Sequence, residues 1–233
     1  PLDRLVAELG ENVALAVPTD ISDIDQCRSL IETAHAHFGR IDVLVNNAGK
    51  NTRGPFDQIA LDDILGILNV NLRAPLVLTR LAIPIMRRQG SGSVVNVASL
   101  AGRTPLDDEA TYSATKFALR IFSFAVAEEL KNTDVHVSVV SPGPVDTGFI
   151  TDPDVIDAVP ALVYSQPMST AGQIADLILD SAHDGTRERT RPALSGRVAT
   201  LSYLFPDLRR FIVPILERKG EREKKKYIER GRR

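Results

Sequence analysis

Tyr112 and Lys116 stand four residues apart, so on a helix they share one face, a single turn from each other. A free tyrosine titrates near pH 10, at about the value of any simple phenol, and is a poor proton donor or acceptor at neutrality. An ammonium one turn away favours the phenolate and lowers that value, which suits general acid–base chemistry. Ser99 follows the apolar run Ser93-Val94-Val95-Asn96-Val97-Ala98, which reads as a buried strand. Strand ends are where α/β enzymes place their chemistry. The Ser99 hydroxyl is then placed to hold a substrate oxygen while Tyr112 exchanges a proton with it. Taken alone, Tyr-x-x-x-Lys describes a solvated helix face equally well, so the neighbouring elements decide.

Residues 1–10 read as the end of an amphipathic helix, with Leu2, Leu5, Val6 and Leu9 in one stripe and Gly10 as its cap. Residues 13–17 form a short apolar run that predicts a strand, broken at Pro18, with Asp20 at its carboxyl end. Ser22 or Asp23 can cap a helix that runs to Phe38 and stops at Gly39. A strand is expected over 41–45, followed at once by Asn46-Asn47-Ala48-Gly49, and a long helix over 61–89 that Pro75 and Pro84 should kink. The strand at 93–98, the helix carrying Tyr112 to about residue 131, and a strand at 135–141 complete the alternation. Pro142-Gly143-Pro144-Val145-Asp146-Thr147-Gly148 makes a fixed turn after it. Residues 148–170 lack periodicity, carry many apolar side chains and read as a lid. A helix over 171–183, an edge strand over 191–194 and an apolar helical stretch over 197–216 broken by Pro206 and Pro214 follow. Strands alternating with helices specify right-handed βαβ units and a parallel sheet. The expected fold is α/β, a Rossmann-type doubly wound parallel sheet in a single domain over 1–216, with a basic tail at 217–233.

Composition narrows the classes of function. The 233 residues are 43% hydrophobic and 25% charged, which is ordinary for one globular α/β domain. A net charge of −2 gives no case for a nucleic-acid partner. Cys27, the single cysteine, excludes an internal disulfide framework and is compatible with a reducing, cytoplasmic location; its simplest role is as a small core residue. His35, His37, His136 and His183 are scattered without a second ligand set, so no metal site is expected. No apolar run reaches the roughly 18 to 20 residues needed to span a bilayer. The chain begins at Pro1, so a targeting segment could lie upstream.

In order and spacing, Asn46-Asn47-Ala48-Gly49, Asn71, Ser99, Tyr112-x-x-x-Lys116 and Pro142-Gly143 resemble the short-chain dehydrogenase/reductase family. The resemblance runs from Asp20 to Thr147 and more loosely to about residue 216. It implies a nicotinamide dinucleotide, NAD or NADP, and hydride transfer between that cofactor and a carbonyl/alcohol pair. Tyr112 would be the general acid–base, Lys116 would lower its pKa and hold the nicotinamide ribose, and Ser99 would orient the substrate oxygen. Asn71 would kink its helix and anchor a proton-relay water. Asp20 and Ile21 would border the adenine. Asn47, Ala48 and Gly49 would line the cofactor, as would Pro142 and Gly143, with Val145 and Thr147 meeting the nicotinamide carboxamide. The helices holding Asn71 and Tyr112 would be the faces of a homodimer or homotetramer. Without the resemblance, Asp20 is equally a solvated turn acid, Asn71 a side chain that satisfies a helix bend beside Pro75, and Asn46 a tie between strands.

The sequence departs from that family at its start. The family opens with a strand, a Thr-Gly-x-x-x-Gly-x-Gly turn, a helix and a second strand, and this sequence holds none of them; Gly10 is the only glycine before Gly39. The expectation is that the sequence omits a segment of the protein and binds dinucleotide weakly without the phosphate-cradling turn. A non-catalytic Rossmann scaffold that binds or regulates is the alternative that this departure favours. The apolar lid suggests a medium or large apolar carbonyl substrate. Residues 217–233 carry nine Lys/Arg and four Glu after an apolar stretch, the ingredients of peripheral contact with an anionic membrane. The other reading is that residues 201–216 pack on the core or on a partner subunit while the tail is solvated.

Overall fold

The computed structural model describes residues 2–10 and 12–231. The apolar runs become four parallel strands in the sheet order β1-β2-β3-β4: β1 (Val43–Asn46), β2 (Gly92–Val97), β3 (Val135–Pro142) and β4 (Glu188–Arg191). Register runs straight across, with Leu44 opposite Val94 and Val94 opposite Val137. Because side chains alternate along a strand, Val94 and Val95 face opposite layers. Val94, Val135 and Val137 pack with Cys27, Ile31, Leu78, Ala82 and Met86 in one core, so Cys27 is the small core residue expected of it. Val95 and Val140 pack with Ile174 in the other. The parallel sheet between helices is the α/β, Rossmann-like architecture that the alternation of elements implied.

Local chemistry sets most boundaries. Helix α1 (Leu2–Leu9) leads to α2 (Ile24–Phe38), which Asp23 caps by accepting from the amides of Asp25 and Gln26. Gly39 closes α2 in the left-handed conformation at φ 75°. The expected long helix is α3 (Leu61–Leu68), a π-helical turn (Asn69–Arg73) and α4 (Ala74–Gln89). Pro75 has no N–H to offer the carbonyl four residues back, and the π turn beside it absorbs that mismatch. Contrary to the expectation that no apolar run is long enough, Leu61–Gln89 matches a membrane-crossing helix by length and mean hydropathy (1.3), Arg73 and Arg80 notwithstanding. Its Leu78, Ala82 and Met86 lie in the protein core. Helix α5 (Ala110–Glu129) follows β2, and α8 (Ala171–Asp184), which starts with a Thr170–Gln173 capping box, follows the segment expected to be a lid. That segment holds α6 (Gly148–Thr151), a 3-10 turn (Ile156–Ala158) and α7 (Ala161–Tyr164).

Three expectations change. Residues 13–17 form no strand, and Val13 is 67% exposed. A strand needs a neighbour to take up its backbone groups, and β1, the nearest sheet edge, carries none on its outer side among the described residues. The last strand is 188–191 instead of 191–194, because Pro192 cannot donate to a ladder and begins α9 (Ala193–Leu204) instead. The apolar stretch after α9 does not end at 216: α10 runs Pro206–Gly231, with Pro206 at its first turn, where a missing N–H is tolerated.

Ser99 caps the 3-10 turn Leu100–Gly102, accepting from the Ala101 amide at 3.1 Å. The turn is pressed against α5: a Cβ added to Gly102 would lie 2.6 Å from the Lys116 carbonyl oxygen. Gly102→Ala therefore forces the turn and α5 apart and lowers the unfolding free energy by about 1–3 kcal/mol. Urea denaturation measures it; an unchanged midpoint would show that the contact has room to give.

Candidate active site

Ser99, Tyr112 and Lys116 meet at the carboxyl end of β2. Lys116 is buried, and its Nζ donates to the Val97 carbonyl at 2.8 Å while lying 5.6 Å from the centre of the Tyr112 ring. Burial draws the ammonium down to about 8. Tyr112 lines the cavity described below; burial and then the negative charge of Glu109 push its phenol up to about 12, against a hydrogen bond with Ser99 and the charge of Arg53, which lower it. That direction is opposite to the one the Tyr–Lys pairing led us to expect. Lys116 directs its hydrogen bond to the backbone of β2, and desolvation dominates at the phenol. In the protein alone, Tyr112 is a proton donor at neutral pH.

A second constellation was not singled out from the sequence. The Arg53 Nε donates to the Glu109 Oε1 at 2.7 Å, with both side chains more than nine-tenths buried. Arg53 also donates through Nη2 to the Phe149 carbonyl at 3.2 Å, and its guanidinium lies 5.2 Å from the centre of the Phe149 ring. Phe149 in turn lies 6.0 Å, centre to centre, from Tyr112. One ion pair thus ties together the loop after β1, the start of α5 and the start of the lid segment. Burial raises the Glu109 carboxyl, while the charge of Arg53 holds it back. The available signal was spacing: Glu109 falls three residues before Tyr112 and seven before Lys116, on the same helical face.

Asn71 sits in the π turn, fully buried. Its Oδ1 accepts from the Lys50 amide and its Nδ2 donates to the Lys50 carbonyl, both at 2.8 Å, which pins the chain just after Gly49. Asn46 is a tie between elements, donating to Asn96 at 2.8 Å and to Thr79 at 3.2 Å. Asn47, Ala48 and Gly49 face a cavity of about 920 Å³, as do Ser99, Tyr112, Lys116, Pro142, Gly143, Val145 and Thr147. Asp20 and Ile21 do not line it. The Asp20 carboxylate accepts from the amide and hydroxyl of Ser22, and Ile21 packs on the α2–α4 core.

The nicotinamide half of a dinucleotide fits the groups present. At Gly49 an added Cβ would stand 3.4 Å from Asn71 Oδ1 and 3.7 Å from Lys116 Nζ, in ordinary contact with both, so glycine leaves the space beside the ammonium to a ligand. The Gln166 Oε1, which also lines the cavity, is buried without a hydrogen-bond partner. Apolar side chains also line it, Leu100 and Leu106 from before α5 and, from later elements, Leu162 and Val163 of α7, Val198 of α9, and Ile212, Val213 and Leu216 of α10. Besides Lys116, the charged members of the wall are Arg53, Glu109, Arg209 and Lys219.

Comparison with known proteins bears on the family of the chain. A family model described as short chain dehydrogenase matches residues 1–153. Ketoacyl reductase HetN of Nostoc is 41% identical over 167 residues, covering 71% of this chain and 58% of that protein. A 3-oxoacyl-[acyl-carrier-protein] reductase of Synechocystis is 34% identical over 185 residues, covering 77% of this chain and 75% of that protein. An uncharacterized oxidoreductase of Staphylococcus saprophyticus is 32% identical over 148 residues, 63% of this chain and 60% of its own length. The chain thus spans about six-tenths of two of these relatives and three-quarters of the third.

Glu109→Gln removes a charge that raises the Tyr112 phenol and leaves Arg53 unopposed, so Tyr112 titrates at a lower pH. The phenolate absorbance of E109Q, minus that of E109Q with Tyr112→Phe, reads the shift. An unchanged titration would show that burial alone sets the phenol.

Proposed function

The chain belongs to the short chain dehydrogenase family, and on that premise we propose that it is an NAD(P)-dependent oxidoreductase that interconverts a carbonyl and a secondary alcohol, with Tyr112 as the general acid–base. The observation that carries this reading is the convergence of Ser99, Tyr112 and Lys116 on one wall of the cavity, beside the opening at Gly49. A bound nicotinamide dinucleotide supplies or accepts the hydride.

The chain's own residues handle the proton and the positioning. A phenol pushed up to about 12 holds its proton at neutral pH and is ready to give it to a carbonyl oxygen as that oxygen becomes an alkoxide. The Ser99 hydroxyl, which lines the cavity with Tyr112, would orient the same oxygen. Lys116, next to Gly49, would hold the nicotinamide ribose, and its positive charge near Tyr112 would favour the phenolate in the reverse direction. Asn47, Ala48, Pro142, Gly143, Val145 and Thr147 would line the cofactor. Asp20 and Ile21 would border the adenine from outside the cavity. The choice between NAD and NADP is left to the assay.

The apolar wall supports a medium or large apolar carbonyl compound, and the names of two relatives make a 3-oxoacyl chain the first to test. Exposed Leu61 and Leu65 on α3 and Ile121 on α5 support a homodimer or homotetramer through the helices beside the site.

Because this sequence holds no Gly-rich phosphate turn, a polypeptide limited to these 233 residues binds NADH with a Kd of about 1 mM or weaker, against far tighter binding once such a turn is supplied. Micromolar binding by the short polypeptide would mean that other groups hold the phosphates. With dinucleotide and a 3-oxoacyl thioester both supplied in excess, Tyr112→Phe keeps the ring but removes the proton, and turnover falls by about a hundredfold or more with little change in stability. Near-normal turnover would remove Tyr112 from the reaction.

A further inference from the structure

Helix α10 has two unlike faces. Inward, Ile212, Val213 and Leu216 wall the cavity. About three turns further on, Tyr227 and Ile228 pack on Ile150, Ile156, Val159 and Tyr164 of the lid segment, and Lys224 Nζ donates to the carbonyls of Asp157 and Val159 at 2.8 Å each. These contacts fix which side of the helix faces the protein. The opposite side carries Leu208, Phe211 and Ile215 at helical spacing, with Phe211 76% and Ile215 68% exposed. The same stripe continues as Arg218, Arg222 and Lys225, all exposed. Asp207 and Glu229 stand at its two ends, and Asp207 lies 3.5 Å from Arg210. Leu204 and Phe205, also exposed, extend the apolar end toward α9.

We propose that this outer face of α10 seats the protein on an anionic lipid bilayer, with Phe211 and Ile215 entering the boundary between headgroups and acyl chains and Arg218, Arg222 and Lys225 lying among the lipid phosphates. An apolar stripe that turns cationic along one helix matches the two layers of such an interface. A second copy of the chain matches it poorly. Two such faces set parallel bring arginine onto arginine, and set antiparallel they lay Arg218 and Arg222 over the partner's apolar turns; neither arrangement pairs the charges.

The test is co-sedimentation of the protein, without cofactor or substrate, with vesicles of phosphatidylcholine alone and of phosphatidylcholine mixed with phosphatidylglycerol. Binding is read directly, so its outcome is separate from that of the activity assay. The expected result is recovery with the anionic vesicles only, reversed by high salt. Replacing Arg218, Arg222 and Lys225 together by Gln weakens the partitioning by about a hundredfold, at about fivefold for each charge near the surface. Phe211→Ser with Ile215→Ser abolishes it while the circular dichroism melt stays unchanged, since both side chains are exposed. Recovery of the unaltered protein in the supernatant with both kinds of vesicle overturns the proposal. So does an oligomer in the absence of lipid that the Phe211/Ile215 variant dissolves, or stoichiometric capture of an acidic carrier protein by the same face in preference to vesicles.

Discussion

The site depends on a lysine that the fold holds where charge is costly. Lys116 is buried between α5 and the end of β2, with the Val97 carbonyl as its hydrogen-bond partner. Its ammonium is drawn down to about 8 from 10.5, so keeping it charged costs the fold about 3 kcal/mol. Because the folded chain binds fewer protons here than the unfolded one, stability rises with pH between those two values. The surroundings are arranged around that cost. Gly102 lets the Ser99 turn close on the Lys116 backbone, and Gly49 leaves the other side of the ammonium open. A ligand hydroxyl arriving there would give Lys116 an acceptor beyond Val97 and offset part of that cost.

A second buried pair governs how the site is framed. Arg53 and Glu109 are 56 residues apart in the chain and almost wholly enclosed. Removing either partner leaves a buried charge unanswered, which is far more damaging than the pair is stabilising. A parallel arrangement holds the far side, where Glu188 of β4 takes Arg120 of α5, Arg103 after the Ser99 turn, and the Ser141 hydroxyl. Between them, these two clusters brace the start and the middle of α5, and Tyr112 and Lys116 lie on the stretch so held.

What the sequence disclosed follows from the range of the forces involved. Caps and stops act over four residues, so Asp23 and Gly39 mark real helix ends. The chemistry at Ser99, Tyr112 and Lys116 was legible because one strand end and one helical turn place all three. The Arg53–Glu109 pair was not, since only the closed fold brings the two residues together. Residues 13–17 have the composition of a strand, but a strand is a property of a pair, and the outer edge of β1 offers no partner among the described residues. The continuation of α10 through 217–231 was hidden by its charge. Its polar composition reads as a solvated tail, yet Tyr227 and Ile228 reach the lid from a single face.

The cavity is built in two instalments along the chain. Every group proposed for proton transfer or cofactor contact lies before residue 148, on the elements of the sheet and the loops at their ends. Most of the apolar lining lies after it, on α7, α8, α9 and α10, joined by Leu100 and Leu106 from the earlier part. Heredity can therefore act on the two separately. Recombination at the Pro142–Gly148 turn would give a descendant a new substrate preference while leaving the proton machinery intact, and point changes in the last third would drift through many preferences before any of them touched the reaction.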